Sequence, residues 1–521
     1  MEKDIQSEKY IRMTTAPVNG LVVRLAIPTM VSMLVTTLYN LADTYFVGQL
    51  GDVNATAAVT SAYALMNIIQ ALGFLFGQGS GNYISRALGQ KEYEKCRRMA
   101  STAFFSALTV GVLVLVFGTL LLDPLAALSS ATDNAQALEY AKDYMKIILI
   151  GAPAMCASIG LNNQLRFQGN ANFAMIGLAS GAVLNILLDA LLVPRLHVAG
   201  AAIATVACQT TSFIVLFICT RVFSDNVRIS PKAVSFKWFY YKEIIRGGLP
   251  SLCRQGVASV MNVSLMHCCY MAETATLSAE AIKTAFGIVS KLMMLISSMM
   301  IGFGQGFQPV CGFNYGAKKY DRVLKAFRFC ILVSFIFLLV MSVVFFIFCP
   351  QVLSLIQKSG ADGQGGAAVE LAVSIMRRQL IFLPVMSVVV MSNMMLQTTG
   401  RVVGASILAM ARQGLMLIPA MYLLSFLFGM QGLIWSQPVA DLLSMIISLP
   451  FVFVAVKFMK KELSRKMDAK IYKVARIEGE YAILTDENGE GELFIALALL
   501  PIGADIGSKL LFENFSYELI D

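Results

Sequence analysis

Leu21-Val-Val-Arg24-Leu-Ala-Ile-Pro28-Thr-Met-Val-Ser-Met-Leu-Val-Thr-Thr-Leu-Tyr-Asn40-Leu-Ala-Asp43-Thr-Tyr-Phe-Val-Gly48 decides the fold class. A helix needs roughly 20 apolar residues to cross a bilayer, and this stretch supplies them. It also carries an amide and a carboxylate near its far end, where charge is expensive. Eleven similar runs follow. The first six candidate spans are about 22–48, 57–85, 98–122, 137–161, 170–194 and 198–222. The second six are about 247–272, 280–308, 324–349, 370–396, 401–428 and 432–457. The whole chain agrees: 521 residues are 57% hydrophobic and 14% charged, with a mean hydropathy of +0.69. Soluble domains run at about 45–50% apolar and about 25% charged. A soluble enzyme, a disordered chain and a coiled coil are excluded, and an all-α polytopic membrane protein is expected.

Composition removes further classes. Two His argue against histidine-based metal or acid/base chemistry. Ten Cys are scattered without CxxC spacing and read as small buried hydrophobes. The formal charge is +9, but residues 468–521 hold 11 acids and 4 bases. The tail is therefore −7, and the rest of the chain carries +9 − (−7) = +16. The bases lie between apolar segments, which fits cytoplasmic loops and not nucleic-acid binding. Arg86, Lys91, Lys95, Arg97 and Arg98 follow span 2, and Lys318, Lys319, Arg322, Lys325 and Arg328 follow span 8. Loops 49–56, 123–136 and 429–431 contain no bases. Both termini are expected in the cytoplasm, and the first twenty residues are too polar for a signal peptide.

The texture changes after Lys460. Lys470-Ile-Tyr-Lys-Val-Ala-Arg-Ile477 and Tyr481-Ala-Ile-Leu484 alternate apolar and polar residues, and Asp486-Glu-Asn-Gly-Glu-Gly491 reads as a hairpin turn. The expected organisation is an N-terminal segment 1–20, an N-lobe 21–223, a linker 224–246, a C-lobe 247–459 and a small cytoplasmic β domain 468–521.

The two lobes read as one unit repeated. Arg24-Leu-Ala-Ile-Pro28 is echoed by Arg246-Gly-Gly-Leu-Pro250, and Phe76-Gly-Gln-Gly79 by Phe303-Gly-Gln-Gly306. Gly89-Gln-Lys-Glu-Tyr93 is echoed by Gly316-Ala-Lys-Lys-Tyr320. Pro153 matches Pro384, Gly169 matches Gly400 and Gly200 matches Gly432. The offset grows smoothly from 222 to 232. Six spans per unit is even, so both units enter the membrane the same way. That is a parallel repeat about the membrane normal, an architecture used by secondary transporters.

Ionisable groups inside spans are costly and mark function. Asp43 and Asp189 each lie about five residues before the outer end of an outward-running span, roughly 8 Å deep at 1.5 Å per residue. Asn40 and Asn185 precede them on the same helix faces, and Thr205 reaches a similar depth. Two carboxylates sharing a low-dielectric pocket cannot both ionise cheaply, so the pair can hold a proton. With Asn and Thr oxygens it can also hold Na⁺, at Asp43, Asn185, Asp189 and Thr205. At the repeat offsets the two acids match Leu265 and Ala420, so no shared structural need explains them. In the C-lobe, Lys291, Arg254, Arg412, Asn393, Met293 and Met391 are candidate cavity residues, with a Lys291–Asp441 pair considered. Flexible Met side chains suit a site that accepts many shapes. Pro28, Pro153, Pro250 and Pro384 are candidate bending points. Gly360–Gly366 lacks the Lys-Ser/Thr of a phosphate loop. No cofactor is expected beyond a coupling ion, H⁺ or Na⁺.

Several of these stretches resemble one family. Asn40-Leu-Ala-Asp43-Thr-Tyr-Phe-Val-Gly48-Gln-Leu-Gly51, Arg166-Phe-Gln-Gly-Asn170, Asn185-Ile-Leu-Leu-Asp189, Gly200-Ala-Ala-Ile-Ala-Thr205 and Gln308-Pro-Val-Cys-Gly-Phe-Asn-Tyr-Gly316 are similar to motifs of multidrug and toxic compound extrusion (MATE) transporters. The resemblance covers about residues 15–460 and is closest to the DinF-type and MepA-like branches. It implies twelve transmembrane helices in two six-helix lobes, alternating access by rocking, and export of cationic amphipathic drugs in exchange for H⁺ or Na⁺. It also implies that Asp43, Asn185, Asp189 and Thr205 form the coupling site. Other branches use acids in spans 7 and 10. Here span 10 has Asn393, and Glu273 stands at the edge of span 7. The expected partners are small-molecule drugs or other amphipathic cations and the lipid bilayer, with no nucleic acid and a functional monomer. A flippase for a lipid-linked precursor is the alternative; it needs several cavity bases for a pyrophosphate, and only Lys291, Arg254 and Arg412 are candidates. An enzyme is not expected, because no catalytic set is present.

Overall fold

The computed structural model describes residues 2–50, 53–129, 135–222, 227–273, 278–358, 365–468, 470–486, 491–501, 503–513 and 516–520. The Gly360–Gly366 stretch and the 486–491 turn fall largely outside them. The chain is mostly helical: α1 (Glu2–Thr15), α2 (Val18–Gly48), α3 (Val53–Gly89), α4 (Tyr93–Leu120), α5 (Leu122–Ser129), α6 (Ala135–Phe167), α7 (Ala171–Val222), α8 (Trp238–Met271), α9 (Ala279–Gly316), α10 (Tyr320–Lys358), α11 (Gly365–Phe382), α12 (Met386–Thr398), α13 (Val402–Met410) and α14 (Leu417–Asp468). In lipid every backbone polar group must be satisfied within the protein, and helices achieve this within one segment. Hydroxyls inside the spans follow the same rule. Ser32 Oγ donates to the Pro28 carbonyl at 2.9 Å and Thr36 Oγ1 to the Ser32 carbonyl at 2.8 Å.

Eight of the described helices are long and apolar enough to cross a membrane. Two of them are double. A straight α7 of 52 residues would run about 80 Å, against a hydrocarbon core of about 30 Å. His197 breaks it with φ 52° and ψ −131°. Beyond that break, a methyl at Gly200 would overlap the Leu192 carbonyl, and Gly177 packs on Leu216. The two arms therefore fold back on each other as a tight hairpin. Gly429 does the same in α14, with φ 55° and ψ −132°, and Gly432 lies against the Leu424 carbonyl. His197 and Gly429 are 232 residues apart, so the repeat extends to backbone conformation. Gly169 and Gly400 share φ near +80°, Lys91 and Lys318 share positive φ, and Asn162 and Asn393 each donate to a carbonyl twelve residues on (Ala174 at 2.9 Å, Ala405 at 2.6 Å). Positive φ outside Gly is uncommon, so the Lys91/Lys318 match is a structural signature of the repeat. Span 10 is not one helix. Leu383–Val385 forms a 3-10 turn around Pro384 between α11 and α12, because proline removes a backbone donor.

The lobes meet along two symmetric seams, α2 on α9 and α3 on α8. Glycines set the spacing. A methyl on Gly306 would run into the Ala26 backbone, on Gly79 into the Ile244 carbonyl, and on Gly248 into the Leu75 carbonyl. Thr29 Oγ1 donates to the Gly302 carbonyl across the seam at 2.7 Å. The close approaches lie toward the basic end of the bundle. There Arg86 donates to the Thr398 carbonyl at 2.8 Å and pairs with Glu243 at 3.1 Å. Thr398 Oγ1 bonds Asn82 Oδ1 at 3.0 Å. At the same end α1 ties to both lobes: Lys9 reaches Asn170 at 2.6 Å, while Asn314 Nδ2 and Lys319 Nζ reach the Met13 and Thr14 carbonyls at 3.1 Å each.

Residues Met1–Val452 form one compact unit and Phe453–Asp521 a second. The second contains the end of α14 and five strands: β1 (Lys470–Glu478), β2 (Tyr481–Asp486), β3 (Leu493–Ala496), β4 (Lys509–Glu513) and β5 (Ser516–Leu519). They form an antiparallel sheet in the order β3-β2-β1-β4-β5, with a bulge between Val474 and Arg476. Val474, Ala482, Leu484 and Leu510 fill its small core.

Candidate functional site

The N-lobe polar cluster is assembled from four helices, one of which contributes both of its arms. Asp43 comes from α2, Tyr63 from α3, Tyr144 from α6, Asn185 and Asp189 from the first arm of α7, and Thr205 from the second. The α7 hairpin at His197 is what brings Thr205 level with Asn185. Asp43 is 4% exposed, and Asn185 and Asp189 are fully buried. The two carboxylates lie within electrostatic reach of each other and of Tyr144, whose Oη donates to Met66 Sδ at 3.9 Å. Among the described residues, Tyr63 Oη donates to Asp43 Oδ2 at 3.3 Å, longer than a good O–H···O bond of about 2.7–2.8 Å. Asp43 Oδ1, both oxygens of Asp189 and both amide atoms of Asn185 are buried with no partner. A buried polar atom left unpaired costs about 1–3 kcal/mol, and a charged one more. Five such atoms in one cluster are what a site for a proton or an oxygen-seeking cation looks like when nothing else satisfies it. Asn40, on α2 one turn before Asp43, is half-buried.

Comparison with known proteins identifies the family. Residues 28–191 and 257–423 match the MatE family profile, one block in each lobe and together well over half of the chain. The chain belongs to the MATE transporter family. Among curated relatives, the multidrug export protein MepA of Staphylococcus aureus (strain NCTC 8325 / PS 47) is 28% identical over 457 residues, covering 86% of this chain and 96% of the relative. MepA of Staphylococcus haemolyticus (strain JCSC1435) is 29% identical over 423 residues, covering 80% and 89%. Among solved structures, a MATE protein in complex with MaL6 superposes with a TM-score of 0.81 at 25% identity, covering 87% of this chain and 99% of that one. An outward-facing multidrug resistance MATE transporter of the MOP superfamily gives 0.80 at 25% identity, covering 87% and 98%. Members of the family are multi-span membrane transporters, not enzymes.

The C-lobe of this MATE protein is built differently at the matching depth. Ala411–Leu415 is a π-helical turn, a distortion often found at functional positions. It presents Arg412, whose Nε donates to Asp441 Oδ1 at 2.8 Å, with Gln437 Nε2 on the same oxygen at 2.9 Å. Asp441 thus pairs with Arg412 and not with Lys291, whose side chain is exposed. Sequence spacing placed Lys291 and Asp441 at only roughly similar depth, and Arg412 on the neighbouring arm is closer. Breaking a buried pair leaves an uncompensated charge and costs about 3–5 kcal/mol. Arg412→Ala is therefore expected to lower the thermal unfolding temperature sharply, and Arg412→Ala/Asp441→Ala to recover most of it. Equal losses in the single and double variants would refute the pair's energetic role.

Arg254, Arg412 and Asn393 share one C-lobe cavity of about 80 Å³, with Met386 among its apolar walls. Met391 is instead fully buried beside Gly304, and Met293 is buried on α9; neither lines this cavity. Sequence reasoning missed Tyr63 and Tyr144. Their signal was available: a Tyr in the middle of an apolar span needs a partner for its hydroxyl. It also missed the Arg166 network, in which a fully buried guanidinium is held by Gln305 Oε1 and, at 2.6 Å, by Asn163 Oδ1.

Proposed function

We propose that the chain is a cation-coupled multidrug efflux antiporter that exports amphipathic cations in exchange for H⁺ or Na⁺. The observation that carries this is the cluster of five unpartnered atoms on Asp43, Asn185 and Asp189. A proton on one carboxylate, or a Na⁺ shared by Asp43, Asn185, Asp189 and Thr205 oxygens, removes most of that deficit. An organic cation attracted to the same negative charge competes with the ion. Binding of one favours release of the other, which is the coupling an antiporter needs. No ATP motif is present, so an ion gradient supplies the energy. The multidrug export function of the MepA relatives supports the substrate class.

Setting aside α1 and the short α5, counting each arm of α7 and α14 separately, and joining α11 with α12 and α13 with the first arm of α14 gives twelve spans. They divide into lobes at about 21–223 and 247–459. The excess of bases on alternate loops supports a cytoplasmic basic end, both termini inside, and a small cytoplasmic β domain beyond 468. The seams closed at that end then correspond to an outward-facing state. Rocking about the α2–α9 and α3–α8 contacts opens the cytoplasmic side. A bacterial inner membrane and a functional monomer complete the proposal.

Efflux of a cationic dye from proteoliposomes tests it, with a pH gradient or a Na⁺ gradient imposed separately. One gradient is expected to drive efflux, and that names the ion. Dye that follows neither gradient through well-folded protein would refute the antiport reading.

A further inference from the structure

The C-lobe cavity holds an arginine, Arg254 of α8, that no carboxylate among the described residues pairs with. Another cation lies within electrostatic reach of it: Arg166 of the N-lobe, fully buried. Among the described residues Arg166 is held by neutral oxygens, those of Gln305 and Asn163, and its buried Nε has no acceptor. Arg412 also faces the cavity. Its charge is balanced by Asp441, but that bond uses Nε, so its terminal nitrogens keep their donors. Asn393 is fixed in place by its bond to the Ala405 carbonyl. Met386, Val390 and Leu408 supply apolar wall. Two guanidiniums without a counter-charge in a membrane interior are costly, and a guanidinium is the side chain best matched to a carboxylate or phosphate oxygen pair.

We propose that this C-lobe cavity is a binding subsite for the anionic oxygens of an amphipathic ligand, with Arg254 as its main contact and Arg412 as a second donor. The lobes then carry opposite polarity. The N-lobe cluster has acids with unpartnered oxygens, while the acids' repeat partners in the C-lobe are Leu265 and Ala420, and the cavity there is lined by Arg254 and Arg412. Apolar walls beside a guanidinium fit a ligand with a hydrophobic body and one charged end. The carboxylate of a small molecule and the phosphate of a lipid headgroup share this chemistry. The inference rests on the export reading only in that it calls the ligand cargo; the binding chemistry stands apart.

Full-length protein in phosphatidylcholine nanodiscs would be titrated with dansyl-phenylalanine and, separately, with its methyl ester. The free acid is expected to bind at least about tenfold tighter than the ester, a difference of about 1.4 kcal/mol. Arg254→Gln should remove that preference, and Arg254→Lys should keep part of it, which separates charge from folding. Equal affinity for acid and ester in the wild type, or a preference unchanged in Arg254→Gln, overturns the proposal. Repeating the titration with phosphatidylglycerol in the nanodisc distinguishes the two sources. Loss of acid binding assigns the subsite to lipid phosphate, and retention assigns it to free carboxylates. Wild-type ethidium efflux is followed in parallel. Acid preference without ethidium efflux sinks the cation-export reading and leaves the subsite; efflux without acid preference does the reverse.

Discussion

Asp189→Asn is expected to reduce gradient-driven dye efflux to the leak of protein-free vesicles while leaving the protein folded. Asp189 is fully buried, and neither carboxylate oxygen has a partner. An amide of the same shape cannot carry a proton or a full negative charge, so the coupling step is lost. Folding should not suffer. Replacing a buried, unpartnered carboxylate by a neutral group removes a desolvation penalty of roughly several kcal/mol per ion. The unfolding temperature of Asp189→Asn should therefore equal or exceed that of the wild type. Asp43→Asn should cost less than Asp189→Asn, because Tyr63 can still donate to the amide oxygen. Wild-type efflux in folded Asp189→Asn would refute the role of this carboxylate.

Gly306→Ala is expected to unbalance the transport cycle by a different route. In the closed seam the new methyl would meet Ala26 Cα and N. Backbone cannot turn aside as a flexible side chain can. Overpacking of this kind costs about 1–3 kcal/mol, which changes a two-state ratio by about fivefold to 150-fold. Opening the seam removes the clash, so the variant should favour the state open at the basic end. Pulsed EPR distances between spin labels at Lys95 and Lys325, on opposite lobes, read this directly. A longer-distance population should grow in Gly306→Ala. Gly256→Ala, where an added methyl meets nothing within 4 Å, serves as control. Identical distance distributions in Gly306→Ala and wild type would show that the seam does not limit the closed state.

Much of this was legible before any coordinates because the membrane makes polar residues conspicuous. Asp43 and Asp189 stood out by cost alone, and the 222–232 offset exposed the repeat. The Phe-Gly-Gln-Gly motif in each half was visible, but its task was not. Gly79 and Gly306 are small because the opposite lobe's backbone lies against them, and that contact joins helices far apart in sequence. The same limit hid the Arg412–Asp441 pair. Its geometry depends on a π turn at Ala411–Leu415 that periodicity at 3.6 residues does not register. His197 in a left-handed conformation was unexpected as well. Its equivalent, Gly429, is the residue type that such a turn favours, and hydropathy placed both turns correctly without indicating their conformation. Met391 looked available for substrate from composition. Packing against Gly304 removes it from the C-lobe cavity, and Met386 one turn earlier takes that place.

The central claim is that drug and coupling ion exclude one another at Asp43 and Asp189. It is tested most directly by ion release on drug binding, using purified protein in weakly buffered solution with a pH indicator and, in parallel, bound ²²Na⁺. Adding ethidium to the wild type should release protons or displace Na⁺ in proportion to the drug bound, and Asp43→Asn/Asp189→Asn should release neither. Saturable ethidium binding to the wild type with no release of either ion would contradict the account.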